Sequence, residues 1–225
     1  MLYQVTYMRY IMIKKLFTFW KQKEKPKIHW WSTIEGVEKV TPVLPAKEFI
    51  PDWWKRVQRK IDSKLDDKGT VRNCPSFPEY INQGFVVPLW CDLYLEIGQD
   101  NTSMVLKPNC PWRVKTPPGW SVWQLPMYYH YNPMFETLPG IIWSDIHHEI
   151  NQQMLFKRYG EFFIPRGTPL AMYVPFERNK YTYDISGPNS TNAAWSNESF
   201  LHVRSKFKGG YKLHQAEVKK CPVKH

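Results

Sequence analysis

From Gly84 to Phe176 the apolar residues fall in short runs separated by turn formers, the spacing of an antiparallel β domain. Eight such runs, at 85–89, 90–97, 104–107, 112–115, 120–124, 140–143, 161–164 and 171–176, are bounded by Gly, Pro, Asn or Asp. Within the second, Asp92-Leu-Tyr-Leu-Glu-Ile97 alternates polar with apolar, as a strand with one wet face should. Pro117-Pro-Gly119 sets a turn midway through the series. No helical pattern inside this region is long enough to cross between parallel strands. The predicted fold is therefore mainly β: an antiparallel β-sandwich or jelly roll of about eight strands, with one or two flanking helices.

Helical periodicity shows at two places outside the strands. Pro51 suits a first turn, Asp52 complements the helix dipole, and Trp54, Val57, Ile61 and Leu65 recur at helical spacing, which predicts a helix over 51–65. Its lysines and arginines lie off the apolar stripe, so the stripe docks on a sheet while the charges stay in water. Ala193, Ala194, Phe200, Leu201 and Val203 give a weaker apolar face over 192–206, with Thr191 or Asn192 as cap. The expected organisation is a basic leader over 1–27, a single domain over 28–208 and a basic tail over 209–225. A short amphipathic helix is expected near Ile11 to Trp20, and Met1, Met8 and Met12 are alternative starts.

Composition narrows the class. Aromatic residues make up 16% of the 225 residues, which excludes a disordered chain. The net charge of +11 is not spread evenly: residues 1–27 carry +6 and residues 204–225 another +6, so the body between them is at −1. Such ends are either plain solvated charge or weak contacts for nucleic acid, an anionic membrane face or an acidic partner. Cys74, Cys91, Cys110 and Cys221 lie far apart without a C-x-x-C pair, which argues against zinc fingers and a disulfide framework and for reduced thiols. Arg9, Lys14 and Lys15 break the apolar runs of the leader, so neither a signal peptide nor a transmembrane segment is predicted. The expected location is a host cytoplasm or a virion, without secretion.

One cluster carries ligand-type side chains: Trp143-Ser-Asp145-Ile-His147-His148-Glu149. On a strand, Asp145 and His147 share a face while His148 points away, and Asp-x-His is a workable pair for Fe(II), Mn(II) or Zn(II). His130 is the candidate third ligand. The competing reading, which needs no cofactor, is a polar turn with exposed histidines. Glu136, Asp145, Glu149 and Glu161 are too loosely placed by sequence to define a carboxylate pair. Motifs for a serine hydrolase, a P-loop or a dinucleotide site are absent. Trp112, Trp120, Trp123, Tyr128 and Tyr129 crowd the middle of the β region, either as a surface that stacks on a ligand or as filling for a thick sandwich.

Two resemblances bear on these residues. Gly160-Glu-Phe-Phe-Ile-Pro-Arg-Gly167 resembles the second box of the cupin jelly rolls, in which Pro-x-Gly leads to a metal-binding histidine; here Leu170 occupies that place. A turn of this kind also recurs in other β folds, the dUTPase-like ones included. More widely, Ile50-Pro-Asp-Trp-Trp-Lys, Cys74-Pro-Ser-Phe, Gly84-Phe-Val-Val-Pro-Leu-Trp, Thr116-Pro-Pro-Gly-Trp, Leu138-Pro-Gly-Ile-Ile and Ile164-Pro-Arg-Gly-Thr-Pro-Leu-Ala are similar to a family of uncharacterised β-rich proteins. That family is encoded mainly by tailed phages of marine bacteria. The resemblance implies a β-rich domain and supplies no activity. The expected role is a non-enzymatic phage accessory or structural protein that binds a protein partner, a second copy of itself or a small ligand. The alternatives are a cupin-like metal-dependent oxygenase or isomerase and, behind it, nucleic-acid binding through the basic tails.

Overall fold

Alternation along two long segments sets the centre of the fold. Trp120–Pro126 and Pro169–Glu177 pair antiparallel over seven residues, from Ala171 opposite Pro126 to Glu177 opposite Trp120. On one face Val122, Gln124, Ala171 and Tyr173 are buried; on the other Ser121 and Met172 are buried too, while Trp123 is exposed and stands over Phe176 with ring centroids 5.4 Å apart. The wet face that a period of two produces is thus confined to the stretch around Trp123. The chain is known here from a computed structural model, which describes residues 25–58, 60–61, 68–69, 71–74, 76–98 and 104–204. The leader helix near Ile11 to Trp20, the alternative starts and the tail over 209–225 lie outside the described residues.

Two compact units divide the chain within the span expected to form one domain. The first holds described residues 25–49 and Gln83–Arg178. Its strands are β1 (His29–Ser32), β2 (Leu44–Pro45), β3 (Phe85–Pro88), β4 (Leu93–Ile97), β5 (Val105–Leu106) and β6 (Trp112–Lys115). After them come β7 (Trp120–Pro126), β8 (Phe135–Thr137), β9 (Gly140–Ile142), β10 (Met154–Phe156), β11 (Gly160–Ile164) and β12 (Pro169–Glu177). All pairings are antiparallel: a five-stranded sheet ordered β9-β7-β12-β3-β2, a three-stranded one ordered β8-β10-β5, and the ladders β1-β6 and β11-β4. The fold is mainly β and antiparallel, as the pattern predicts. The strands that the pattern missed, β1, β2, β8 and β10, are no longer than four residues, too short for an alternation to show.

Two apolar clusters hold this unit together. Val87, Cys110, Trp112, Val114, Val122, Ile150, Ala171 and Tyr173 form one; Leu89, Ile97, Phe135, Met154, Phe156, Phe162, Ile164 and Leu170 form the other. Burying a side chain of this size contributes roughly 1.5–3 kcal/mol. Leu170 is 1% exposed and serves as core. Trp112, expected among surface aromatics, is 3% exposed, because its strand turns Trp112 and Val114 inward and Arg113 outward.

The second unit comprises Ile50–Asn82 and the chain from Asn179 onward. The helix predicted over 51–65 runs only from Asp52 to Arg56. Val57, with ψ 126°, turns the backbone out, and Arg72 takes the freed carbonyls of Lys55 and Val57 at 2.8 Å each. Beyond it Lys60–Ile61 pair antiparallel with Lys68–Gly69. Trp54 stacks on Phe77 at 3.7 Å between centroids. The later helix spans Ser190–Arg204, two residues ahead of the expected start, and its cap is Asn189, whose Oδ1 accepts the Asn192 N–H at 2.9 Å. No helix among the described residues is long and apolar enough to cross a membrane.

Candidate functional site

The ligand-type cluster after β9 is not a strand. Ser144, Asp145 and Ile146 form a turn in which the N–H groups of Ile146 and His147 both reach the Trp143 carbonyl, at 3.0 and 2.8 Å. Consecutive turn formers, Ser144 and Asp145, break the extension, so the facing of Asp145 with His147 that a strand would impose is lost. Ser144 anchors the turn from below: fully buried, its Oγ lies 2.8 Å from the Thr116 hydroxyl, while the Thr116 N–H donates to its carbonyl at 3.3 Å. The outgoing chain is held by the Val114 N–H, which donates to the His148 carbonyl at 3.0 Å.

Asp145 has become one half of an ion pair. Arg178 donates to both of its oxygens, to Oδ1 at 2.8 Å and through Nη2 to Oδ2. The Gly119 N–H reaches Oδ2 at 2.9 Å. Hydrogen bonding from Arg178, above all, pulls the carboxyl from its ordinary 3.8 down to about 2. Arg178 in turn donates to the Trp120 carbonyl at 2.9 Å and the Ser121 hydroxyl at 2.6 Å, and its guanidinium lies 4.6 Å from the centre of the Trp143 ring.

Around this turn opens a cleft of about 730 Å³. Trp31 and Trp143 supply aromatic walls, Ile141, Ile142 and Ile146 an apolar side, and Arg113, His147, His148 and Glu149 a polar one. Arg113 is fixed by the carbonyls of Cys110 (2.6 Å) and Trp112 (3.0 Å) and meets Glu149 at 3.3 Å. His148 directs Nδ1 at the Ser144 carbonyl, 3.0 Å away, and Trp31 packs edge-on against its ring at 5.5 Å. Since a carbonyl only accepts, Nδ1 carries the proton and Nε2 remains the basic nitrogen of the neutral ring. A smaller pocket of about 230 Å³ is lined by Tyr128, Tyr131, Glu136, Lys157 and Leu170 among others.

The candidate metal ligands do not assemble. Among the described residues no group of three His, Cys, Asp or Glu side chains is placed to hold an ion. His130 has its Nε2 on the Phe49 carbonyl at 2.8 Å, and burial lowers its basicity. Asp145 is committed to Arg178, and His147 lies in the cleft. Nor do the five candidate aromatics form one surface: Trp112 is core, Trp120 and Tyr129 are half-buried, and Trp123 and Tyr128 are exposed, Trp123 on the β7–β12 face and Tyr128 at the smaller pocket. Sequence reading missed Trp31 and Arg178 as site residues. Nothing local marks Arg178 as the partner of Asp145.

No family model matches the chain, and no curated protein does. Solved structures of dUTPases do match. The enzyme of EIAV is 10% identical over 73% of this chain and 99% of its own, with a TM-score of 0.37. That of phage phi11 of S. aureus is 10% identical over 73% and 97%, with 0.38, and a mutant of Staphylococcus bacteriophage 80alpha dUTPase 10% over 73% and 99%, with 0.37. The expectation of a phage structural or accessory protein, with a cupin-like oxygenase or isomerase and nucleic-acid binding behind it, is corrected by these neighbours, which are dUTPases, and none of those roles is carried forward.

Proposed function

We propose that the first unit is a nucleotide-handling domain whose Trp31–Trp143 cleft takes a nucleoside phosphate. One observation carries this reading: an immobilised guanidinium, two imidazoles and two indoles line a single cleft of about 730 Å³. That volume is in the range of small-ligand sites, roughly 300–1,000 Å³. Flat aromatic walls suit a base, since every base has a π-face to stack. Arg113 lies in the lining with Nη1 held by two carbonyls, so a phosphate oxygen would be met through Nη2. Glu149, the one carboxylate of the lining, is largely exposed and meets that Nη2 at 3.3 Å, a contact long enough for an anionic ligand to displace.

Calorimetric titration of the full chain with dUMP, dUTP, uridine and inorganic pyrophosphate tests this reading, with released pyrophosphate followed in parallel on dUTP. Binding is expected for the nucleotides and weaker for the nucleoside. Arg113→Ala is expected to cut nucleotide affinity about tenfold, the loss of one charge-assisted contact. Absence of binding by any nucleotide at millimolar concentration, or binding untouched by both Arg113→Ala and Trp143→Ala, would sink it.

A further inference from the structure

We propose that Arg178 is a positioning residue: it stands outside the cleft and fixes the Trp143 indole as a preformed wall of it. The proposal rests on the nucleotide reading of the cleft for its consequence, and on geometry alone for its mechanism. Trp143 is 54% exposed and precedes a turn, a setting in which an indole would ordinarily move among rotamers. Its ring instead lies 4.6 Å from a guanidinium that cannot rotate. Four acceptors hold that guanidinium: both Asp145 oxygens, the Trp120 carbonyl and the Ser121 hydroxyl. The Arg178 backbone is fixed as well, its N–H donating to the Gly119 carbonyl at 2.8 Å. Asp145 is thereby accounted for, since it orients the fork that supports the ring and touches no ligand itself.

The arrangement is specific to arginine. A lysine at 178 keeps a positive charge for Asp145 but offers no plane for the indole and no fork for the remaining acceptors. A wall held in place before binding leaves less freedom for the ligand to remove, so the contact shows in affinity.

Two measurements on Arg178→Lys in the full chain decide the matter. With 5-fluorotryptophan labelling, and Trp143→Phe to assign the signal, the fluorine resonance of Trp143 in the free protein is expected to broaden or shift toward the exposed value. The dissociation constant for dUMP is expected to rise about two- to fivefold, the equivalent of one cation–π contact. An unaltered Trp143 resonance overturns the proposal, as does a lowered midpoint with an unaltered resonance, which would make Arg178 a purely structural link. Failure of the parent protein to bind dUMP would remove the nucleotide reading, and the fluorine spectrum would still decide the role of Arg178. Should Arg178→Lys not fold, Asp145→Asn loosens the same fork and is expected to move the same resonance.

Discussion

Gln152 is the residue whose surroundings fit it least. It is wholly buried, and among the described residues neither its amide nitrogen nor its amide oxygen has a hydrogen-bond partner. The Tyr173 hydroxyl donates to Gln124 Oε1 at 3.0 Å, and its oxygen is the group on which the Gln152 amide acts, short of a well-formed hydrogen bond. A buried polar group without a partner costs roughly 1–3 kcal/mol. Gln152→Met, similar in shape and free of that cost, is expected to raise stability by about 1–2 kcal/mol in urea titration, and a fall would show that the amide is satisfied. Asp145 gives a second prediction at this scale. Its carboxyl titrates below its ordinary 3.8, at about 2, so the folded state binds fewer protons than the unfolded one between those values. The stabilisation from its pairing with Arg178 is therefore complete above about pH 4 and is lost as pH falls through about 2. The thermal midpoint of the parent protein should exceed that of Asp145→Asn by a constant margin from neutral pH down to about 4 and converge on it below.

Among the elements, the β3–β12 ladder leaves the least room for change. Gly84 leads into β3 with φ +78°, and a Cβ there would lie 2.2 Å from the Tyr173 carbonyl oxygen. Strain and a backbone clash combine, so Gly84→Ala is expected to cost about 3 kcal/mol or more, seen as a lower denaturant midpoint at unchanged slope. All eight strands expected from apolar runs are present, because each run carries its own alternation and turn residues, and those act locally. Gly84 opened one such run, yet its close approach to Tyr173 was invisible, since it joins residues far apart in sequence. The helix beyond Arg56 failed for the opposite reason: Val57, Ile61 and Leu65 keep helical spacing, but Arg72 captures the carbonyls of Lys55 and Val57 from a distance. The candidate site was half legible. Asp145, His147 and His148 stood out as a cluster, whereas the ion pair that gives Asp145 its task, and the placing of Trp31 beside His148, depend on the tertiary pairing of β1 with β6 and on the end of β12.

In the whole molecule, residues 50–82 interrupt the first unit between two neighbouring strands. Leu44 pairs with Val86 and Pro45 with Phe85, and the Ala46 N–H donates to the Gly84 carbonyl at 3.2 Å, so the chain leaves and re-enters the sheet at nearly one place. His130 fastens the departing end through the Phe49 carbonyl. Closing such a gap asks little of a connecting loop, because loop entropy grows only slowly with length. Replacement of 50–82 by a short Gly/Ser linker is expected to leave the near-ultraviolet circular dichroism of the first unit in place and to preserve a cooperative melt; a molten profile would show that the segment is needed to fold the sheet. At the level of the gene, the stretch between the codons for Phe49 and Gln83 is then a place where whole-codon insertions and deletions accumulate freely. A change of one codon inside β12 would instead slip its pairing with β3 and β7 by one residue and send each following strand side chain to the opposite face.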